Sequence, residues 1–273
     1  MRRVAGRAVM YAVLVVVALV WMIPYIWTLR TAFSEGVNIF SSTLELLPRR
    51  LTFENFVQVF QLAPVGRMTV NSVIIVFGTT FLIIASSALA GYALSRPGLP
   101  LARVIMVFFL AAIMVPGESL LIPTFLAVRD MGLLNSYQGV ILPMATDAFV
   151  IFVFERFFSQ LPSEVIDAAI VDGASDFQVF WRVVLPMSTP AVAAMTTLVF
   201  IGAYDAFLWP LVILNGPDMM PLTLGLYYFA TEQITHYEYI ITYSLLLTLP
   251  VLLLFLLGQK FFIRGLQLGA VKG

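Results

Sequence analysis

These 273 residues contain no cysteine and a single histidine, His236. The lack of cysteine excludes disulfides, thiolate catalysis and cysteine metal sites, and one histidine cannot build a His-rich metal centre. His236 is expected to be a polar loop residue, the alternative being a proton relay. Lysine is nearly missing as well: Lys260 and Lys272 are the two, and neither follows a glycine. The chain therefore has no phosphate-cradling G-x-x-x-x-G-K-[ST] loop. Charged residues make up 11% and balance to a net charge of zero, so no basic surface argues for nucleic acid. No Ser/His/Asp set or metal-ligand cluster occurs, which leaves an enzyme without chemistry to stand on. What is present is apolar: 61% hydrophobic residues and a mean hydropathy of +0.98. Soluble domains are roughly 45–50% apolar and about 25% charged.

The expected fold is all-α and polytopic. Six apolar runs, near 9–29, 70–94, 103–127, 138–158, 190–214 and 240–262, are long enough for the roughly 20 helical residues that cross about 30 Å of hydrocarbon. The first run follows Arg2, Arg3 and Arg7, but it is long, holds Trp21 and Pro24 and lacks an obvious small-residue cleavage site. It reads as a retained anchor helix rather than a signal peptide. With these spans, ten Lys and Arg fall on one side and five on the other. The positive-inside rule then puts both termini and the loop 161–190 in the cytoplasm.

That loop, LPSEVIDAAIVDGASDFQVFWRVVLPMSTP, is the most informative stretch. Ser163 is expected to cap a first helix, with Glu164 in its first turn and Gly173 as its stop. Ser175 and Gln178 form an S-x-x-Q capping box for a second helix. Phe177, Phe180, Trp181 and Val184 fall on one apolar stripe, and Pro186 is expected to end the helix. Such a folded segment is a shaped surface for a partner, the plainer alternative being an ordinary amphipathic loop.

The loop resembles the "EAA" coupling loop of permease subunits in binding-protein-dependent ABC importers. Asp167, Ala168 and Ala169 match the Glu-Ala-Ala, with an aspartate one methylene shorter; Asp172 and Gly173 match the central Asp-Gly, and Leu185 and Pro186 the closing Leu-Pro. Two further segments resemble maltose-type permease subunits. FIGAYDAFLWPL (200–211) keeps Phe207, Leu208, Trp209 and Pro210 but has Tyr204, Asp205 and Ala206 where Trp-Asn-Asp is usual. FFIRGLQLGAVKG (261–273) is similar to the family's Arg-Gly-Leu…Gly-x-Val-Lys-Gly tail.

The resemblance implies an ABC type I importer permease fold and a carbohydrate substrate moved by alternating access across the cytoplasmic membrane. It implies as partners a second homologous permease, two ATPase subunits that bind the ATP and Mg, and an external substrate-binding protein. It assigns Asp167, Ala168, Ala169, Asp172, Gly173 and Phe180 to ATPase coupling, and Gly269, Lys272 and Gly273 to a tail reaching the ATPases. With Gly265, Gly269, Gly273 and Lys272 the tail reads as a short flexible cationic extension able to enter a partner groove, the alternative being an unstructured, functionless tail. The implied organisation is an anchor helix and external loop (1–68), a permease domain (69–262) and a tail (263–273).

Glu118, Asp147 and Asp205 fall inside predicted spans, where acids normally face a water-filled path or the bundle interior. Glu118 lies between Pro116 and Pro123, in a broken helix lining a cavity or in a kinked one packed on its neighbours. Asp147 is equally a structural hydrogen-bond partner. Tyr204, Asp205 and Trp209 suit a sugar path with Glu118, or an interfacial aromatic belt. Outside the membrane, 51–60 is expected to be an amphipathic helix begun near Thr52, with Phe53, Phe56, Val57 and Phe60 on one face, either lying on the membrane or docking a partner. Its Thr52-x-x-Asn55 has a counterpart in maltose-type permeases. A secondary transporter or channel without an ATPase is the alternative function; it predicts paired intramembrane charges or inverted repeats.

Overall fold

The computed structural model describes residues 2–35, 50–232 and 236–270. In chain order the helices are α1 (Arg2–Ala32), α2 (Glu54–Leu62), α3 (Val65–Ser95), α4 (Ala102–Ile113), α5 (Leu121–Asp130), α6 (Tyr137–Ile141) and α7 (Ala148–Phe158). They continue with α8 (Ser163–Val171), α9 (Asp176–Val179), α10 (Leu185–Met187), α11 (Thr189–Asp205), α12 (Leu208–Ile213), α13 (Leu222–Glu232) and α14 (Tyr237–Ala270). Short 3-10 turns at Gly117–Leu120 and Leu142–Met144 lead into α5 and follow α6, and a π-turn at Phe180–Val184 joins α9 to α10. The only strand pairing among the described residues is a single antiparallel bridge, Ser34 with Leu51.

Each of the six apolar runs is helical, and three of them, near 103–127, 138–158 and 190–214, are interrupted. Val9–Ala32 and Val65–Ser95 are continuous spans. The run near 103–127 bends by 95° between α4 and the Gly117 turn, where Pro116 and Gly117 interrupt the ladder. The run near 138–158 bends by 46° around Ala145–Asp147. The run near 190–214 is α11 followed, after an extended Ala206, by α12. The last begins with the apolar Tyr237–Leu253. The breaks are satisfied as irregular backbone inside a membrane must be. Ser86 Oγ donates to the Ala145 carbonyl at 2.6 Å and Thr223 Oγ1 to the Ala206 carbonyl at 3.2 Å.

The chain divides into two compact units, Met1–Gly66 with Gly225–Pro250, and Arg67–Leu224 with Val251–Gly273. In the first, Asn55 explains the Thr-x-x-Asn segment. Its buried Nδ2 donates to the carbonyls of Thr31, Ala32 and Ser34 at 3.0–3.2 Å, so it caps the C-terminal end of α1, whose last carbonyls have no partner in their own helix. Thr52 Oγ1 accepts from the Glu54 amide at 3.1 Å, and α2 starts there rather than at Thr52. Its buried side is Asn55 and Val59, while Phe53, Val57 and Phe60 are exposed. Of the expected phenylalanine face, Phe53 and Phe56 stack on Phe33 at ring distances of 5.3 and 4.9 Å, while Val57 and Phe60 are exposed. His236 lies outside a helix with Nδ1 3.0 Å from Glu238 Oε1, as a polar loop residue does.

In the second unit, α3 crosses α7 at backbone distance. A Cβ on Gly91 would lie 2.8 Å from Phe154 Cβ and 3.0 Å from the Glu155 nitrogen. Ala88 and Tyr92 of α3, with Phe154 and Phe158 of α7, form a buried core that also takes in Ile166, Val179, Phe180 and Val184. Small residues bring the helices together, and packing rather than water exclusion holds them. A second core, around Ile75, Val128, Val140, Trp209 and Ile213, lies toward the other end of α3. The expected flexible tail is absent up to Ala270: α14 runs through Gly265 and Gly269, the helical hydrogen-bond ladder outweighing roughly 1 kcal/mol per glycine. Lys272 and Gly273 lie outside the described residues.

Candidate functional site

The segment 163–187 is built as one shaped knob on the α3–α7 crossing. α8 ends in a Schellman turn: Gly173 adopts φ +82°, its amide donates to the Ile170 carbonyl at 2.9 Å, and the Ala174 amide donates to Ala169 at 3.0 Å. No atom lies within 4 Å of where a Gly173 Cβ would stand, so glycine is required for backbone conformation and not for space. The capping box follows: the Gln178 amide donates to Ser175 Oγ at 3.3 Å and the Ser175 amide to Gln178 Oε1 at 2.9 Å. Ser163 is already inside α8 and makes no cap; Pro162 occupies the N-cap position, and Glu164 sits in the first turn as expected.

Pro186 does not end the second helix. The π-turn Phe180–Val184 widens the ladder, with the Leu185 amide donating to the Phe180 carbonyl, and helix continues to Met187. The extra residue per turn keeps the proline ring clear of the preceding carbonyls. The same turn splits the expected stripe. Phe180 and Val184 are buried, joined by Val179, while Phe177 and Trp181 stay exposed. Phe180 is the anchor: its ring lies 5.2 Å from that of Tyr92 on α3. Of the other proposed coupling residues, Asp167, Ala168, Asp172 and Gly173 are exposed, and Ala169 is half-buried against the core. The knob therefore pairs an inner face locked into the core with exposed Asp167, Ala168, Val171, Asp172 and Phe177, while Trp181 lines an apolar cavity with Phe81 and Ala85 of α3.

The four membrane residues expected on a path differ in exposure. Glu118 is exposed at the α4–α5 bend. Tyr204 is buried and Asp205 exposed at the end of α11. Trp209 is buried, donating its Nε1 to the Val140 carbonyl at 3.1 Å. Trp209 and Ala206 line a cavity of 250 Å³ together with Asp147, Thr79 and Gly202. Asp147 is the N-cap of α7, Oδ1 accepting from the Val150 amide at 3.0 Å, which bears out its structural reading. Among the described residues no group of three or more His, Asp or Glu is arranged to hold a metal.

One polar cluster escaped the sequence. Asn71, buried in α3, donates to the Asp218 and Met220 carbonyls at 2.9 Å and accepts from Tyr137 Oη at 2.7 Å. Arg67 Nε also donates to the Asp218 carbonyl, and the Leu222 amide to Ser72 Oγ. These bonds fasten the segment 215–222 to the end of α3 remote from the knob. The signal was a lone asparagine within an apolar run.

Residues 83–262 match the family described as binding-protein-dependent transport system inner membrane component. The arabinooligosaccharides transport system permease protein AraQ of Bacillus subtilis is 33% identical over 84% of this chain and 82% of its own length. The diacetylchitobiose uptake system permease protein NgcG of Streptomyces coelicolor is 32% identical, covering 93% of this chain and 85% of its own length. The lactose transport system permease protein LacG of Rhizobium radiobacter is 31% identical over 100% of this chain and 98% of its own. A chain of a bacterial ABC transporter involved in alginate import shares the fold, with a TM-score of 0.80 at 24% identity, covering 95% of this chain and 97% of that one. The knob, the bent spans and these likenesses agree: the chain belongs to the inner membrane components of binding-protein-dependent transport systems.

Proposed function

We propose that this chain is the carbohydrate-translocating permease subunit of an ATP-driven importer in the cytoplasmic membrane, with both termini and the knob on the cytoplasmic side. It works with a second, homologous permease, two ATPases that hold the ATP and Mg, and an external binding protein that delivers an oligosaccharide, disaccharide or related sugar. The observation that carries this reading is the knob itself. The junction between its two helices is closed by the Gly173 turn and the Ser175–Gln178 box, its inner face is packed on α3 and α7 around Phe180, and Asp167, Ala168, Asp172 and Gly173 stay exposed. Closure of the ATPase pair against Asp167, Ala168, Ala169, Asp172 and Gly173 would pass through Phe180 into α3 and α7 and rock the spans. Glu118, Tyr204, Asp205 and Trp209 border the path, and Gly269, Lys272 and Gly273 reach the ATPases. The proposed division is an anchor and external loop at 1–68, the permease at 69–262 and the tail at 263–273.

The sugar class is supported by the names of the AraQ, NgcG and LacG relatives. The test is uptake of labelled oligosaccharides by intact cells or vesicles with ATP supplied and the proton gradient dissipated. Continued uptake is expected; arrest under an uncoupler at constant ATP would favour a secondary carrier.

A further inference from the structure

On the membrane side that bears the knob, α4 begins, α7 ends and α3 ends around a polar cavity of 360 Å³. Its lining includes Arg103 from the first turn of α4, Glu155 and Arg156 from the last turn of α7, and Met106, Val107 and Leu110 further along α4. Arg156 is held in place. Its Nε lies 3.4 Å from Glu155 Oε2, its guanidinium stacks over the Phe152 ring at 5.5 Å, and Glu155 Oε1 accepts from Ser159 Oγ at 3.1 Å. Arg103 makes no ion pair or side-chain hydrogen bond with any described residue. The three charges sum to +1, and one guanidinium is left for a ligand. Beyond it the cavity walls turn apolar, and α4 presents Val104, Val107 and Phe108 on its exposed side.

We propose that this cavity binds a phosphate group, and that the phosphate belongs to an anionic phospholipid of the membrane leaflet on the knob side. A phosphodiester carries the single negative charge that neutralises the cavity, and guanidinium forks match phosphate oxygens. Basic pockets between spans at a membrane surface are suited to lipid headgroups. The apolar continuation along Met106, Val107 and Leu110 gives acyl chains a surface and gives free phosphate nothing. A lipid seated here touches the ends of α3 and α7, the helices on which the knob is anchored, and ties them to α4. This inference rests on the chain's place in a membrane and on no assignment of sugar.

The test uses the full chain, purified in gentle detergent with whatever partners it retains and exchanged into nanodiscs of equal phosphatidylglycerol and phosphatidylcholine. Lipids retained on the chain are counted by native mass spectrometry. Phosphatidylglycerol is expected to be retained in preference. Arg103→Gln and Arg156→Gln should each weaken that retention about fivefold, in keeping with one Arg at a membrane surface. Arg103→Lys should keep most of it, which separates loss of charge from loss of fold. Arg129→Gln is the control: Arg129 pairs with Asp130 at 2.8 Å, near the end of α3 opposite the cavity, and should change nothing. Equal retention of the two lipids, or the same loss in Arg129→Gln, would overturn the proposal. So would displacement of the lipid by millimolar inorganic phosphate, which would assign the site to the free anion.

Discussion

Gly173 separates two reasons for a glycine in a coupling loop. The residue sits at φ +82°, and a Cβ there meets nothing within 4 Å. Any defect on substitution within this chain is therefore a backbone effect. The left-handed conformation disfavours an ordinary L-residue by roughly 1–2 kcal/mol, a factor of about 5–30 in population of the closed turn. Asparagine tolerates that region and carries much less of the penalty. β-Branched valine tolerates it least. Gly173→Ala should therefore lower ATP-dependent uptake by at most about 5- to 30-fold, the full shift in the turn's equilibrium. Gly173→Asn should stay near wild type, and Gly173→Val should abolish uptake while still inserting into the membrane. The assay is uptake in reconstituted vesicles, normalised to inserted protein. The damage does not follow side-chain size, since asparagine is larger than alanine and about as large as valine. Equal damage from alanine and asparagine would mean that the glycine clears space for a partner, and normal uptake by the valine variant would sink the coupling role.

Other substitutions probe the scaffold. Gly91→Ala places a Cβ 2.8 Å from Phe154 Cβ and 3.0 Å from backbone of α7, and should destabilise by roughly 1–3 kcal/mol, read as a lower melting temperature in detergent. Gly202→Ala, which meets nothing within 4 Å, should not. Asn55→Ala removes three bonds to the last carbonyls of α1 and should speed amide exchange around 29–35, with a loss of about 1–3 kcal/mol. Trp209→Phe deletes the bond to the Val140 carbonyl and should cost about 1 kcal/mol of stability with uptake retained. Lost uptake at unchanged stability would instead place the indole N–H on the substrate.

Much of this was legible locally. Gly173 as a stop, the Ser175–Gln178 box and the break at Pro116–Gly117 each follow from one or two residues and their backbone preferences. What escaped depends on residues distant in sequence. Pro186 stays within a helix because a π-turn is accommodated against Tyr92 and Phe158, outside the loop's own pattern. Asn55 and Asn71 point inward because carbonyls 21–24 and 147–149 residues away need donors. The α3–α7 crossing at Gly91 leaves only the residues 85–91, all small except Leu89, as its trace.

The central claim is that a separate ATPase pair drives this chain through the knob. The most direct measurement is purification from the native membrane in gentle detergent, with mass spectrometry of the retained proteins, for the wild type and for Gly173→Val. The account predicts a phosphate-loop ATPase in two copies and a second multi-span permease with the wild type, and a depleted ATPase with the variant. Recovery of the chain only with copies of itself, under conditions that preserve other membrane complexes, would contradict it.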